Sequence, residues 1–96
     1  MKDDNLITQE ELNNISLYIL KELKHQRQFH NKTLKEVSEL TGISEPSLSR
    51  IENGRVLQTS IQYIVKIAKC YDIGIDTLIK NAMIKYNLDY PDNNKD

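Results

Sequence analysis

The stretch that decides the fold runs from Thr33 to Gly54 and reads TLKEVSELTGISEPSLSRIENG. Thr33, with Glu36 three residues on, spells a capping box and opens a helix. Leu34, Val37 and Leu40 recur at helical spacing and are expected to form its buried side. Gly42 can adopt the left-handed conformation that stops a helix. Ser44 is a good cap for a second helix, and Pro46 falls in that helix's first turn, where its missing N–H costs nothing. Leu48 and Ile51 supply the apolar side of this second helix, and Asn53-Gly54 is a turn signal that closes it. Two helices this short, joined by so tight a turn, must cross steeply and lean on other helices for a core. Ser38 is small where they approach. With Leu48 and Ile51 turned inward, Glu45, Ser49 and Arg50 point outward.

Upstream, Thr8 and Glu11 spell another capping box, with Ile7 and Leu12 placed for a hydrophobic staple. Leu12, Ile15, Ile19 and Leu23, broadened by Leu20, predict an extended first helix ending near Gln28. Leu17 and Tyr18 fall outside that face, so this helix should touch more than one neighbour. Phe29 to Lys32 reads as a polar loop with one aromatic anchor. Downstream, Val56 and Leu57 read as connector residues anchored in the core, and Thr59 or Ser60 caps a fourth helix. Ile61, Ile64, Val65, Ile67, Ala68 and Tyr71 make that helix almost continuously apolar, which predicts a central, well-buried element. After a break at Asp72-Ile73-Gly74, a fifth helix runs from Ile75 or Asp76 to about Tyr86. No strand pattern or repeat occurs. The expected organisation is all-α, with an N-terminal extension at 1–7, one five-helix domain at 8–86 and a polar tail at 87–96.

The chain has 96 residues and a formal net charge of −1. That length allows one domain and little more. Charge is unevenly spread: residues 1–17 carry −3, residues 18–69 carry +4 from nine bases against five acids, and residues 70–96 carry −2. A single cysteine precludes an internal disulfide and points to a reducing, cytoplasmic setting. No secretory signal or membrane span is read, so the N-x-[ST] triplets at Asn14 and Asn31 are taken as chance matches. His25 and His30 have no partner at ligand spacing and one cysteine completes no zinc set, so no metal or cofactor is expected. Cys70 reads as a small core thiol, and Glu52 as a capping or internal salt-bridge residue. No phosphate loop and no catalytic triad with supporting context is present, and an enzyme is not expected.

A short helix with a projecting N-terminus is suited to the DNA major groove. Gly42-Ile43-Ser44 followed by Leu48-Ser49-Arg50-Ile51-Glu52-Asn53-Gly54 resembles the lambda-repressor-like (Xre/Cro) helix-turn-helix family, and the likeness extends from about Leu20 to Ile79. The resemblance implies a five-helix lambda-repressor-like domain that binds double-stranded DNA by sequence. It would place Ser44, Glu45, Pro46 and Ser47 at the groove-facing start of the recognition helix, and Ser49 and Arg50 on the groove or its edge. Asn53 and Arg55 would contact phosphates, as would the capped helix start at Thr33. Arg50 is the candidate for bidentate contact to guanine, and Glu45 could accept from the cytosine amino group. The sequence departs from the family at Leu34, where glutamine is common, and in a loop after the first helix that is about three residues longer than usual.

The implied role is a transcriptional regulator, a repressor of phage or bacterial type, bound as a homodimer to an inverted-repeat operator. Leu17, Tyr18, Met83, Ile84 and Tyr86, with the acidic N-terminal extension, are candidates for the dimer surface or for extra core. Two alternatives stay open: the antitoxin of a toxin–antitoxin pair, with a toxin as protein partner, and a protein-interaction module that keeps the fold without binding DNA.

Overall fold

A computed structural model describes residues 6–91. Five helices follow in order: α1 (Gln9–Phe29), α2 (Leu34–Thr41), α3 (Glu45–Glu52), α4 (Ile61–Lys69) and α5 (Ile75–Asp89), with no strand among the described residues. The domain is all-α, as the residue spacing implies. Residues 1–5 of the N-terminal extension and 92–96 of the tail lie outside the described residues.

The helix ends follow local chemistry. The Thr8 hydroxyl accepts the Glu11 N–H, but only Thr33 and Glu36 close a full capping box, each side chain accepting the other residue's backbone N–H. Gly42 takes φ +79° at the end of α2, and Ser44 and Ser60 cap α3 and α4 through their hydroxyls. At Gly54, φ is +72° and a Cβ would lie 2.2 Å from Leu17 Cδ1, so both conformation and the α1 side chain favour glycine.

The core gathers Leu20 and Leu23 of α1, Val37 of α2, Leu48 and Ile51 of α3, Ile67 and Ala68 of α4, and Leu78 of α5, joined by Ile43 and Tyr71. Several expectations need correction. Leu40 is 63% exposed, and Thr41 takes the inward place on α2, its hydroxyl donating to Val37 O and accepting from Ile43 N–H. The buried stripe of α4 is narrow: Ile67 and Ala68 are buried and Ile64 half-buried, but Ile61, Tyr63 and Val65 stand exposed. Those three lie roughly a quarter-turn off the stripe at 100° per residue, and no neighbouring helix covers them. Phe29 is exposed rather than anchoring its loop; His30 stacks on Tyr71 instead, with ring centroids 5.8 Å apart. Val56 is exposed whereas Leu57 packs on the core, and Cys70 is half-buried at the end of α4.

The α1–α5 pairing also differs from expectation. α5 continues to Asp89, beyond the expected stop near Tyr86. Tyr86 is buried and meets Tyr18 edge-to-face at 5.6 Å; Tyr90 also meets Tyr18 edge-on, at 6.3 Å, and lies tilted against Tyr86 at 4.8 Å. The Tyr18 hydroxyl donates to Asp89, and this bond, with burial adding to it, pushes the phenol up to about 12. Tyr18 and Tyr86 therefore pack against each other within the domain, and Leu17 is half-buried beside Gly54. Ile84 remains half exposed.

Glu22 is buried at this seam. Its carboxylate accepts from Lys85 Nζ (2.6 Å), Gln26 Nε2 (3.0 Å) and Asn81 Nδ2 (3.4 Å). Burial opposes its charge, but the hydrogen bonds from Lys85 and Gln26 prevail and hold the carboxyl below its usual range. A depressed carboxyl contributes stability that is present above the unfolded-state value near 4.3 and is lost as pH falls through the folded value. Glu22→Gln should lower stability at pH 7 by about 2 kcal/mol. It should also flatten the decline of Tm between pH 5 and pH 3, measured by thermal circular dichroism. A decline parallel to wild type would show that Glu22 contributes nothing to acid sensitivity.

Candidate nucleic-acid interface

α3 presents one side to the core and the other to solvent. Leu48, Ile51 and Glu52 are buried, whereas Ser44, Glu45, Pro46 and Arg50 are exposed and Ser47 and Ser49 half-buried. The orientation follows from spacing: Leu48 and Ile51 are three residues apart, so burying them turns Glu45, Pro46 and Arg50 outward. The exposed edge is ordered by its own hydrogen bonds. Ser44 Oγ donates to Ser47 Oγ at 2.9 Å, and Arg50 Nη2 donates to the same oxygen at 3.2 Å. This lays the Arg50 guanidinium back along the helix toward its N-terminus. The bond is single and solvent-exposed, so a better partner can displace it at little cost. Neither Arg50 nor Arg55 makes an ion pair among the described residues.

The remaining sequence-predicted positions surround this edge. Arg55 is exposed just past α3, its backbone N–H bonded to Arg50 O. Asn53 is exposed too, but its amide folds back on Ser49, donating to the main-chain oxygen (2.9 Å) and to Oγ (3.3 Å). Thr33 lies at the exposed start of α2, where the Glu36 carboxylate takes the Thr33 N–H. Helix geometry leaves the N–H groups of Leu34 and Lys35 for an incoming anion. Glu36 would have to swing aside for a phosphate to share that end.

Arg27 fixes these pieces relative to one another. Its Nε and Nη2 grip both oxygens of buried Glu52 at 2.8 and 3.0 Å, and its Nη1 donates to Lys32 O at 2.9 Å. One guanidinium thus ties α1 to the end of α3 and to the loop that leads into the α2 cap. The hydrogen bonds to Glu52 hold Arg27 above the ordinary arginine range. Burial raises the Tyr71 pKa, and the ring lies close enough to feel both charges; its buried hydroxyl has no hydrogen-bond partner among the described residues. The internal salt bridge expected of Glu52 is therefore present.

Sequence reasoning missed one flank of the site. A surface cleft of about 470 Å³ runs beside α3, with Arg50 and Ser47 on one wall and Gln58, Ser60 and Tyr63 on the other. The path of residues 53–60 decides this juxtaposition, and that segment has no periodicity to read. Among the described residues no group of three or more His, Cys, Asp or Glu could hold a metal ion, and no helix is long and apolar enough to cross a membrane.

Two short helices joined through a left-handed Gly42 on a helical core, the second with an ordered and exposed polar edge, define a helix-turn-helix domain. A helix-turn-helix family model matches residues 23–78, more than half of the chain. The chain belongs to the lambda-repressor-like (Xre/Cro) helix-turn-helix family, and at that level it is a DNA-binding transcription regulator. Comparison with curated proteins gave no match, and neither did comparison with solved structures.

Proposed function

We propose that the chain is a sequence-specific repressor that binds an operator in duplex DNA as a homodimer. The carrying observation is the exposed edge of α3, where Arg50 is ordered by Ser47 and makes no ion pair among the described residues. α3 enters the major groove by its N-terminal end. Arg50 exchanges Ser47 for the O6 and N7 acceptors of guanine, and Glu45 accepts from a cytosine amino group. Ser44, Pro46, Ser47 and Ser49 shape the contact surface. Thr33, Asn53 and Arg55 position the domain on phosphates, which fixes register without carrying sequence information.

α3 has eight residues and spans about 12 Å, so one copy reads only a few base pairs. Two copies on half-sites about 34 Å apart supply a useful operator length, and the two-fold axis makes that operator an inverted repeat. Occupancy blocks polymerase or a neighbouring protein. A cytoplasmic setting fits both the target and the free thiol of Cys70.

The test is the salt dependence of binding to duplex DNA. Lys35 and Arg55 are exposed cations beside the proposed phosphate contacts. If each neutralises one phosphate, a dimer neutralises about four, giving a slope of about −3.6 in log affinity against log salt. Affinity measured by fluorescence anisotropy should then fall roughly 100-fold between 50 and 200 mM salt. Absence of binding at 50 mM salt would favour the alternative in which the fold serves only protein contacts.

A further inference from the structure

A second cleft, of about 510 Å³, opens between α2 and α4, and no residue of α3 lines it. Its volume is that of a small-molecule pocket. Lys32, Lys66 and Lys69 line it with Leu40, Thr41 and Cys70. The cations come from two separate parts of the chain, the loop before α2 and the last turn of α4. Two of them are held in place. Lys32 is pinned through its main chain, whose N–H donates to Arg27 O at 3.0 Å and whose carbonyl accepts from Arg27 Nη1 at 2.9 Å. Lys66 Nζ donates to Thr41 O at 3.2 Å, at the carbonyl end of α2. None of the three ammonium groups makes an ion pair among the described residues.

The rest of the lining is less polar. Leu40 is 63% exposed, and the Cys70 thiol is half-buried. Burial pushes that thiol up and the Lys32 charge pulls against it, so the two side chains lie close enough to interact. Convergent like charges repel, and an anion seated among them relieves the repulsion. The exposed Leu40 favours an anion that also carries hydrocarbon, since covering it removes apolar surface from water. Three ammonium donors match the three terminal oxygens and charge of about −2 of a phosphate monoester better than the two oxygens of a carboxylate.

We propose that this cleft binds a small organic phosphate, a monoester whose phosphate sits among Lys32, Lys66 and Lys69 while its apolar group lies on Leu40. Inorganic phosphate leaves Leu40 in water and binds more weakly. The site stands apart from the exposed edge of α3, so it does not depend on whether that edge reads DNA.

Cys70 is the only cysteine of the chain and lines the cleft, so its alkylation reports occupancy at this place. The full chain without DNA is treated with iodoacetamide, which is neutral, and the rate is followed by mass spectrometry with butyl phosphate as the probe. Butyl phosphate should slow alkylation at least fivefold at saturation, with half-protection at a low-millimolar concentration. Inorganic phosphate should need at least threefold more, and butanol should give no protection. Lys32→Gln with Lys69→Gln should raise the half-protecting concentration of butyl phosphate at least tenfold. Lys21→Gln with Lys80→Gln removes the same charge elsewhere and should leave it within twofold. Circular dichroism checks folding, and Lys69→Gln alone serves if the cleft pair fails to fold, since Lys69 is exposed. If the thiol reacts too slowly to time, the amide NMR shifts of Leu40, Lys69 and Cys70 in the same titration replace the rate. No protection and no shift at tens of millimolar butyl phosphate would overturn the site, as would protection that survives the cleft substitutions. Protection by a short DNA duplex that butyl phosphate fails to reproduce would assign the lysines to a nucleic-acid backbone, which also overturns it.

Discussion

Arg27→Ala is expected to destabilise the domain by about 3–5 kcal/mol, the largest loss foreseen for any single side chain. The loss comes less from the attraction removed than from the charge left behind. Glu52 is 4% exposed, and both its oxygens take their hydrogen bonds from Arg27. Without that partner the carboxylate is buried and uncompensated. Lys32 O loses a donor as well. Replacing both partners with similarly sized apolar residues, Arg27→Met with Glu52→Leu, should cost far less than the single change, because no charge is then stranded. Urea denaturation of wild type, both singles and the double variant measures the coupling directly. Single and double variants of equal stability would show that the pair is not what holds α3 against α1. The singles should also lose DNA affinity at temperatures where they remain folded, because Arg27 sets α3 relative to the α2 cap.

Arg50→Ala is expected to weaken specific DNA binding by about 1–3 kcal/mol per half-site, roughly 5- to 150-fold, without altering Tm beyond about 0.5 kcal/mol of stability. Arg50 is exposed, and its one side-chain bond is to Ser47, so little of the fold depends on it. The loss should fall on one base pair per half-site, where the variant no longer distinguishes guanine from the other bases. Arg55→Ala should behave differently, weakening all duplexes alike and shallowing the salt slope by about 1 per copy. Titration of a panel of single-base operator variants separates these patterns. Equal weakening on every duplex for Arg50→Ala would assign that residue to the backbone instead.

The helices and their junctions were legible because their signals are local. The Thr33–Glu36 box, Gly42, Ser44 and Pro46 each act within a few residues, and each forms the cap or stop its chemistry implies. The outward face of α3 was legible for the same reason, since burying Leu48 and Ile51 leaves Glu45 and Arg50 nowhere else to point. What escaped depends on partners distant in the chain. Nothing near Glu22 in the chain signals its burial, because Lys85, which meets it, is 63 residues away. Leu40 and Val65 read as core because apolar spacing cannot tell how wide a stripe the neighbouring helices will cover. Tyr18 and Tyr86 left dimer and core equally open, and ring packing within one copy resolves them as internal contacts. The placing of Tyr63 beside Arg50 follows from a loop with no repeat to read.

In the proposed complex the exposed edge of α3 reads base sequence in the major groove. Selection of bound sites from random duplex DNA by the full chain at low salt probes that reading. The predicted result is an enriched inverted repeat with half-sites one helical turn apart, containing one guanine per half-site whose preference disappears in Arg50→Ala. Recovery of no enriched sequence, or of one that Arg50→Ala selects unchanged, would contradict it.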